Sequence, residues 1–222
     1  MTSVFNPNLF RHTTVTSDRF NNLCTIIHPL KKEGQYTGEV FIKKQFLGSF
    51  QLTLDEKFEP TQADIDISMF DPLQIRKDKT MPPRQFEITK DGYVVIYVSG
   101  HHDGAYVRIM SSDEKGEKEV FDTRKLGKDD IVVFRPFHPG KYKLLNKSDG
   151  QETSIIIEEQ KESYANPAKL APVEIPLTVK GFTSNKSFSV SPFQAIIIKP
   201  EIDCSLTLEL EKERKIKTRK SQ

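Results

Sequence analysis

The chain has 222 residues, and its 33 Lys and Arg against 31 Asp and Glu leave a formal net charge of +2. That length admits one large β domain or two small ones, and the charge balance argues against a polyanion binder acting through the whole chain. Two distant cysteines, Cys24 and Cys204, exclude a disulfide framework or a zinc knuckle, and no apolar run reaches the roughly 20 residues that a membrane span needs.

The N-terminal MTSVFNPNLFRHTT lacks a basic segment followed by an apolar one, so no signal peptide is expected. With so few cysteines, the expected location is cytoplasmic. From residue 20 onward the pattern is that of strands. LCTIIHPL is a short apolar run closed by Pro29, and GEVFIKK alternates Val40 and Ile42 with Glu39 and Lys43. After a turn expected around Gln45–Gly48, SFQLTLDE places Phe50, Leu52 and Leu54 on one face. ADIDISMF does the same with Ile65, Ile67 and Met69, leaving Asp64 and Asp66 toward solvent. The expected arrangement over 1–71 is a small antiparallel β unit, a meander of neighbouring strands. Residues 72–84, with Pro72, Pro82 and Pro83, read as a Pro-rich linker.

A larger unit is expected over 85–212. QFEIT, YVVIYVSG, AYVRIMSS, EKEVFDTRKL, DIVVFRPF, GKYKLLN and ETSIIIEEQ read as strands separated by turns such as Asp91-Gly92, Pro139-Gly140 and Asp149-Gly150. Seven short strands at this spacing suit a β-sandwich. After a second connection, VEIPLTVKGF, KSFSVSPFQAIIIKP and CSLTLELEK add three strands, too few for a domain, which are expected to join a sheet already begun. The tail at 213–222 is basic. The expected class is all-β, built of tandem antiparallel β units, the larger a cupredoxin-like or Ig-like sandwich.

That likeness rests on two segments. TVKGFTSNKSFSV after Leu177 resembles the opening hairpin of cupredoxin-like sandwiches, and DIVVFRPFHPGKYKLLN resembles their later hairpin. A type 1 copper site takes two His, a Cys thiolate and usually an axial Met. No His follows Cys204 and none lies within three residues of Cys24, so the resemblance implies the fold and not the copper ligands.

Sites are sparse. His101 and His102 in the turn SGHHDGAY and His138 in FRPFHPGKY are the candidate ligands for a transition metal, if two turns converge at one end of a sandwich. Cys24 and His28 lie four apart, which on a strand separates them by about 13 Å, too far to share a metal. Asp64 and Asp66 lack the glycine and distal Glu of a calcium loop. No nucleophile elbow, HExxH, P-loop or dinucleotide fingerprint is present, so no catalytic residue and no organic cofactor is expected. The leading expectation is a non-catalytic module that meets a protein partner or a second copy of itself through sheet edges; the second is a cupredoxin-like metal-binding protein. Nucleic acid is not an expected partner except through the basic tail.

Overall fold

The computed structural model describes residues 12–70, 83–100, 104–113, 116–159, 170–182 and 188–213. The protein is all-β, with a single short 3-10 turn at Ile67–Phe70 among the described residues. The strands are β1 (Thr14–Thr16), β2 (Cys24–Pro29), β3 (Gly34–Ile42), β4 (Gln45–Leu54), β5 (Gln62–Asp66), β6 (Arg84–Ile88), β7 (Tyr93–Tyr97), β8 (Ala105–Asp113) and β9 (Gly116–Asp122). They continue with β10 (Ile131–Phe134), β11 (Gly140–Asn146), β12 (Glu152–Ile157), β13 (Val173–Thr178), β14 (Gly181–Phe182), β15 (Phe188–Val190), β16 (Ile196–Pro200) and β17 (Leu206–Glu213). Three sheets result. The largest runs β14-β13-β16-β10-β2-β7-β5, and the other two run β6-β4-β3-β8-β9 and β1-β17-β11-β12-β15.

These pairings follow one scheme carried out twice. β2 pairs antiparallel with β7, and β5 pairs parallel with β7; in the same way β10 pairs antiparallel with β16, and β13 parallel with β16. β3 lies between β4 and β8, with β6 parallel to β4; β11 lies between β12 and β17, with β15 parallel to β12. The registers agree as well. Leu52 faces Phe86 where Ile155 faces Phe188, and Leu54 faces Ile88 where Ile157 faces Val190. A residue at positive φ precedes the inner strand of each half, Asp91 (φ 61) before β7 and Phe193 (φ 62) before β16. Each sits in a turn closed by the same backbone bond, Gly92 N–H to Thr89 and Gln194 N–H to Ser191.

The first strand of each half is exchanged. β1, which precedes β2, pairs with β17; β9, which precedes β10, pairs with β8. The junctions match atom for atom. Phe20 and Ala105 exchange both backbone hydrogen bonds, and so do Leu126 and Cys204. The Ser17 hydroxyl accepts from the Leu206 N–H at 3.0 Å, and the Thr123 hydroxyl accepts from the Val107 N–H at 3.1 Å. The halves join along the antiparallel β2–β10 ladder, where Ile26 faces its own counterpart Val132. An internal twofold axis therefore passes through that pair. Both residues are fully buried, and the apolar core runs through both halves without a break.

Several expectations need correction. The strands of 1–71 do not form a meander among themselves: β3 and β4 make a hairpin, whereas β2 and β5 pair with β7 of the following segment. The hairpin turns at Lys43-Lys44, both at positive φ (49 and 71), rather than at Gln45–Gly48, because these two residues adopt the paired left-handed geometry that matches strand twist. β5 stops at Asp66. The 3-10 turn that follows swings Met69 outward to 43% exposure and leaves Ile67 buried. Asp66 does not face solvent; its carboxylate accepts from the Ser68 and Ser99 N–H groups at 2.9 and 3.1 Å and from the Ser99 hydroxyl. The last strands do join sheets begun earlier, β16 beside β10 with β13 on its far side, and β17 beside β11. Arg84, assigned to the linker, opens β6, and residues 72–82 of that linker lie outside the described residues.

Candidate functional site

The feature that stands apart is a cleft of about 550 Å³. Its walls come from the end of β2 (His28), the β2–β3 connection (Lys31, Lys32), the start of β3 (Tyr36), the end of β8 (Ser111, Ser112), β9 (Lys118, Glu119, Val120) and the segment entering β10 (Lys128, Asp129). A smaller recess of about 240 Å³ shares His28, Glu119, Val120 and Lys128 with it and reaches Phe121, Asp122 and Asp130. Local chemistry shapes these walls. The Tyr36 side chain is buried and its hydroxyl donates to the Lys32 carbonyl at 2.6 Å, which fixes the connection carrying Lys31 and Lys32.

His28 is held at the cleft floor on two sides. Its Nδ1 lies 2.6 Å from Asp130 Oδ1, and its ring stacks on Phe121 with centroids 4.1 Å apart and planes at 22°. Asp130 is 4% exposed, and its other oxygen accepts from the Gly127 N–H at 2.7 Å. Because an ionised carboxylate only accepts, the Nδ1 proton is the one donated, and the neutral imidazole keeps its lone pair on Nε2. Nε2 makes no hydrogen bond within the described residues.

The charges around it are unevenly matched. Lys31 pairs with Asp129; their mutual hydrogen bond raises the amine and lowers the carboxyl from their ordinary values. Lys32, Lys118 and Lys128 form no ion pair within the described residues, although Lys128 adds to the field on Asp129. Farther along β9, Asp122 binds the Arg124 guanidinium, which lies over the Tyr106 ring at 4.3 Å.

The candidate metal ligands are placed as follows. His101 and His102 lie outside the described residues. His138 is half-buried at the turn before β11, edge-on to Phe137 at 5.3 Å, and its Nε2 is buried without a hydrogen-bond partner among the described residues. Among the described residues no three His, Cys, Asp or Glu side chains cluster as metal ligands would. Cys24 and Cys204 are free, buried thiols, and desolvation by burial pushes both up, Cys204 to about 12. No helix among the described residues is long and apolar enough to cross a membrane. Residues 214–222 of the basic tail lie outside the described residues.

Reading the sequence alone misses the His28–Asp130 pair, since its members lie 102 residues apart in the chain. One signal does exist: Gly34-Gln35-Tyr36 and Gly140-Lys141-Tyr142 open the equivalent strands β3 and β11, and aligning them sets the two halves in register. Comparison with known proteins finds no match to any family, curated protein or solved structure.

Proposed function

We propose that the chain is a non-catalytic binding or assembly module that takes a protein partner, or a second copy of itself, through a sheet edge. The observation that supports this reading is the position of β9. It is the outermost strand of its sheet, paired only with β8 among the described residues, and its residues Gly116 to Val120 are exposed. An edge strand offers unpaired N–H and C=O groups to which an extended segment can add. β9 also forms one wall of the cleft, through Lys118, Glu119 and Val120, so an added strand would have a concave surface beside it. Val120, 38% exposed, is an apolar contact at that place, while Glu117, Lys118 and Glu119 discourage indiscriminate pairing and select a partner of complementary charge. In this reading the larger unit is a cupredoxin-like or Ig-like sandwich, and the protein works in the cytoplasm.

Photo-crosslinking tests it. A photoreactive residue at position 120 is expected to capture a discrete partner or a second copy in cells, whereas one at Val179, which is 73% exposed on the β13–β14 turn, captures none. Equal, diffuse labelling from both positions would refute the assignment of β9.

A second reading, a metal held by His101, His102 and His138, is favoured by the Nε2 of His138, buried without a hydrogen-bond partner among the described residues. Near-stoichiometric copper, zinc or iron in the purified protein, lost on His138→Ala, is the expected result; failure to take up any of the three would dismiss it.

A further inference from the structure

We infer that the cleft is a binding site for a phosphoryl group, recognised by Nε2 of His28 together with the amines of Lys118 and Lys128. The inference does not depend on β9 receiving a partner strand.

It begins from the internal twofold. The axis through Ile26 and Val132 relates each position on β2 to one on β10. At one end of this ladder Cys24 faces Phe134, and both side chains are buried, at 1% and 0% exposure. Continuing the register past Ile27 and Ile131 to the other end brings His28 opposite Asp130, and the axis maps that pair onto Phe134 and Cys24. The same framework is thus closed by an apolar pair on one side and by an imidazole and a carboxylate on the other. Burying a carboxylate and an imidazole costs solvation that an apolar pair does not. The framework accepts the apolar solution at its other end, so the polar pair answers a demand other than folding. It is also the end that opens into the cleft.

The chemistry of the pair indicates what it takes. Asp130 fixes the Nδ1 proton and Phe121 fixes the ring plane, so the imidazole is oriented in advance and presents one nitrogen, Nε2, as an acceptor. A ligand here needs negative charge for the amines of Lys118 and Lys128, which form no ion pair among the described residues, and also a proton to give to Nε2. A carboxylate near neutral pH has the first without the second. A phosphate or phosphomonoester, with a second ionisation at about pH 6–7, retains a monoanion near neutral pH that carries both, and the P–OH of that form either donates to Nε2 or passes its proton there. The proton moves between ligand and imidazole and no covalent bond changes. Glu33 and Glu119 on the cleft wall oppose a polyanion, so a single phosphoryl group fits better than a nucleic-acid backbone. The space exceeds what inorganic phosphate fills, leaving room for the organic part of a small phosphomonoester.

The test follows the imidazole nitrogens by NMR while inorganic phosphate, phosphoserine or acetate is added at constant ionic strength. Phosphate and phosphoserine are expected to move the His28 signals saturably, and acetate is not. Tighter binding of phosphoserine assigns the site to a phosphomonoester; equal binding assigns it to free phosphate. The double variant His28→Phe/Asp130→Cys, which copies the other end of the ladder, is expected to keep a folded amide spectrum and to bind phosphate at least tenfold more weakly. Lys118→Gln/Lys128→Gln, which changes only the cleft wall, is expected to weaken binding tenfold as well while the His28 signals persist. Absence of a saturable response in the wild type, an equal response to acetate, or unchanged binding in either double variant would overturn the inference. So would failure of His28→Phe/Asp130→Cys to fold, because the polar pair would then be a requirement of the framework.

Discussion

Asp130 accepts a hydrogen bond from His28 Nδ1 at 2.6 Å across the line where the two halves of the chain meet, with its second oxygen on the Gly127 N–H. One buried carboxylate therefore joins the ring at the cleft floor to the turn that enters β10. Replacing Asp130 with Ala leaves both donors without their acceptor, and a loss of about 1–3 kcal/mol is expected. For a chain of this size each kcal/mol lowers the melting temperature by about 2–4 °C, which calorimetry resolves. Asp130→Asn, which retains an accepting oxygen, is expected to lose less.

The two exchanged strands are anchored by the same device. Ser17 and Thr123 each accept the N–H of a residue, Leu206 or Val107, that follows the bridge at the head of its strand. Ser17→Ala and Thr123→Val should therefore destabilise by similar amounts, about 1–2 kcal/mol each, in urea unfolding. A large cost for one and none for the other would mean that the two junctions are alike in geometry and unlike in energy.

Acid should reach the protein through Asp66. Burial disfavours its charged form, but the Ser99 hydroxyl, the Ser99 N–H and the Ser68 N–H outweigh that and hold the carboxyl below its ordinary value. A carboxyl lowered in the folded state stabilises above the ordinary carboxylate range, near pH 3.9, and loses that contribution as pH falls through the folded value. Asp66→Asn is expected to cost about 1–2 kcal/mol near pH 7 and progressively less on acidification, as read from urea midpoints across that range.

Gly38 lies under the Phe50 ring, and a Cβ there would come within 1.9 Å of it. Phe50 is fully buried and also packs on Phe70 and Phe86, so the ring has no free space to enter. Gly38→Ala is expected to destabilise by about 1–3 kcal/mol through overpacking, and Gly38→Ala/Phe50→Leu to recover part of the loss in the same unfolding assay.

Much of the strand inventory is legible in the sequence because one-sided burial writes a period of two, as in Val40 and Ile42 or Phe50, Leu52 and Leu54. The pairing is not legible. Only hairpins such as β3–β4 and β11–β12 join neighbours, while the ladders that define the duplication, β2 with β10 and β1 with β17, span long stretches of chain. The duplication is hidden because equivalent core positions tolerate any apolar residue of suitable size: Val15 stands for Phe121, and Phe20 for Leu126. The site is hidden for a related reason. A His at the end of one strand and an Asp just before another carry no mark in sequence that they meet, and His28 lies four residues from Cys24 in the chain but against Asp130 in space.

The thermal unfolding of His28→Phe/Asp130→Cys beside the wild type bears most directly on the claim that one framework is used twice and departs from itself at the cleft. The account predicts a variant that melts within about 4 °C of the wild type: the Gly127 N–H loses its carboxylate acceptor, but Phe134 and Cys24 already fill the equivalent slot. A melting temperature lower by more than about 4 °C, roughly 1–2 kcal/mol for a chain of this length, would contradict it.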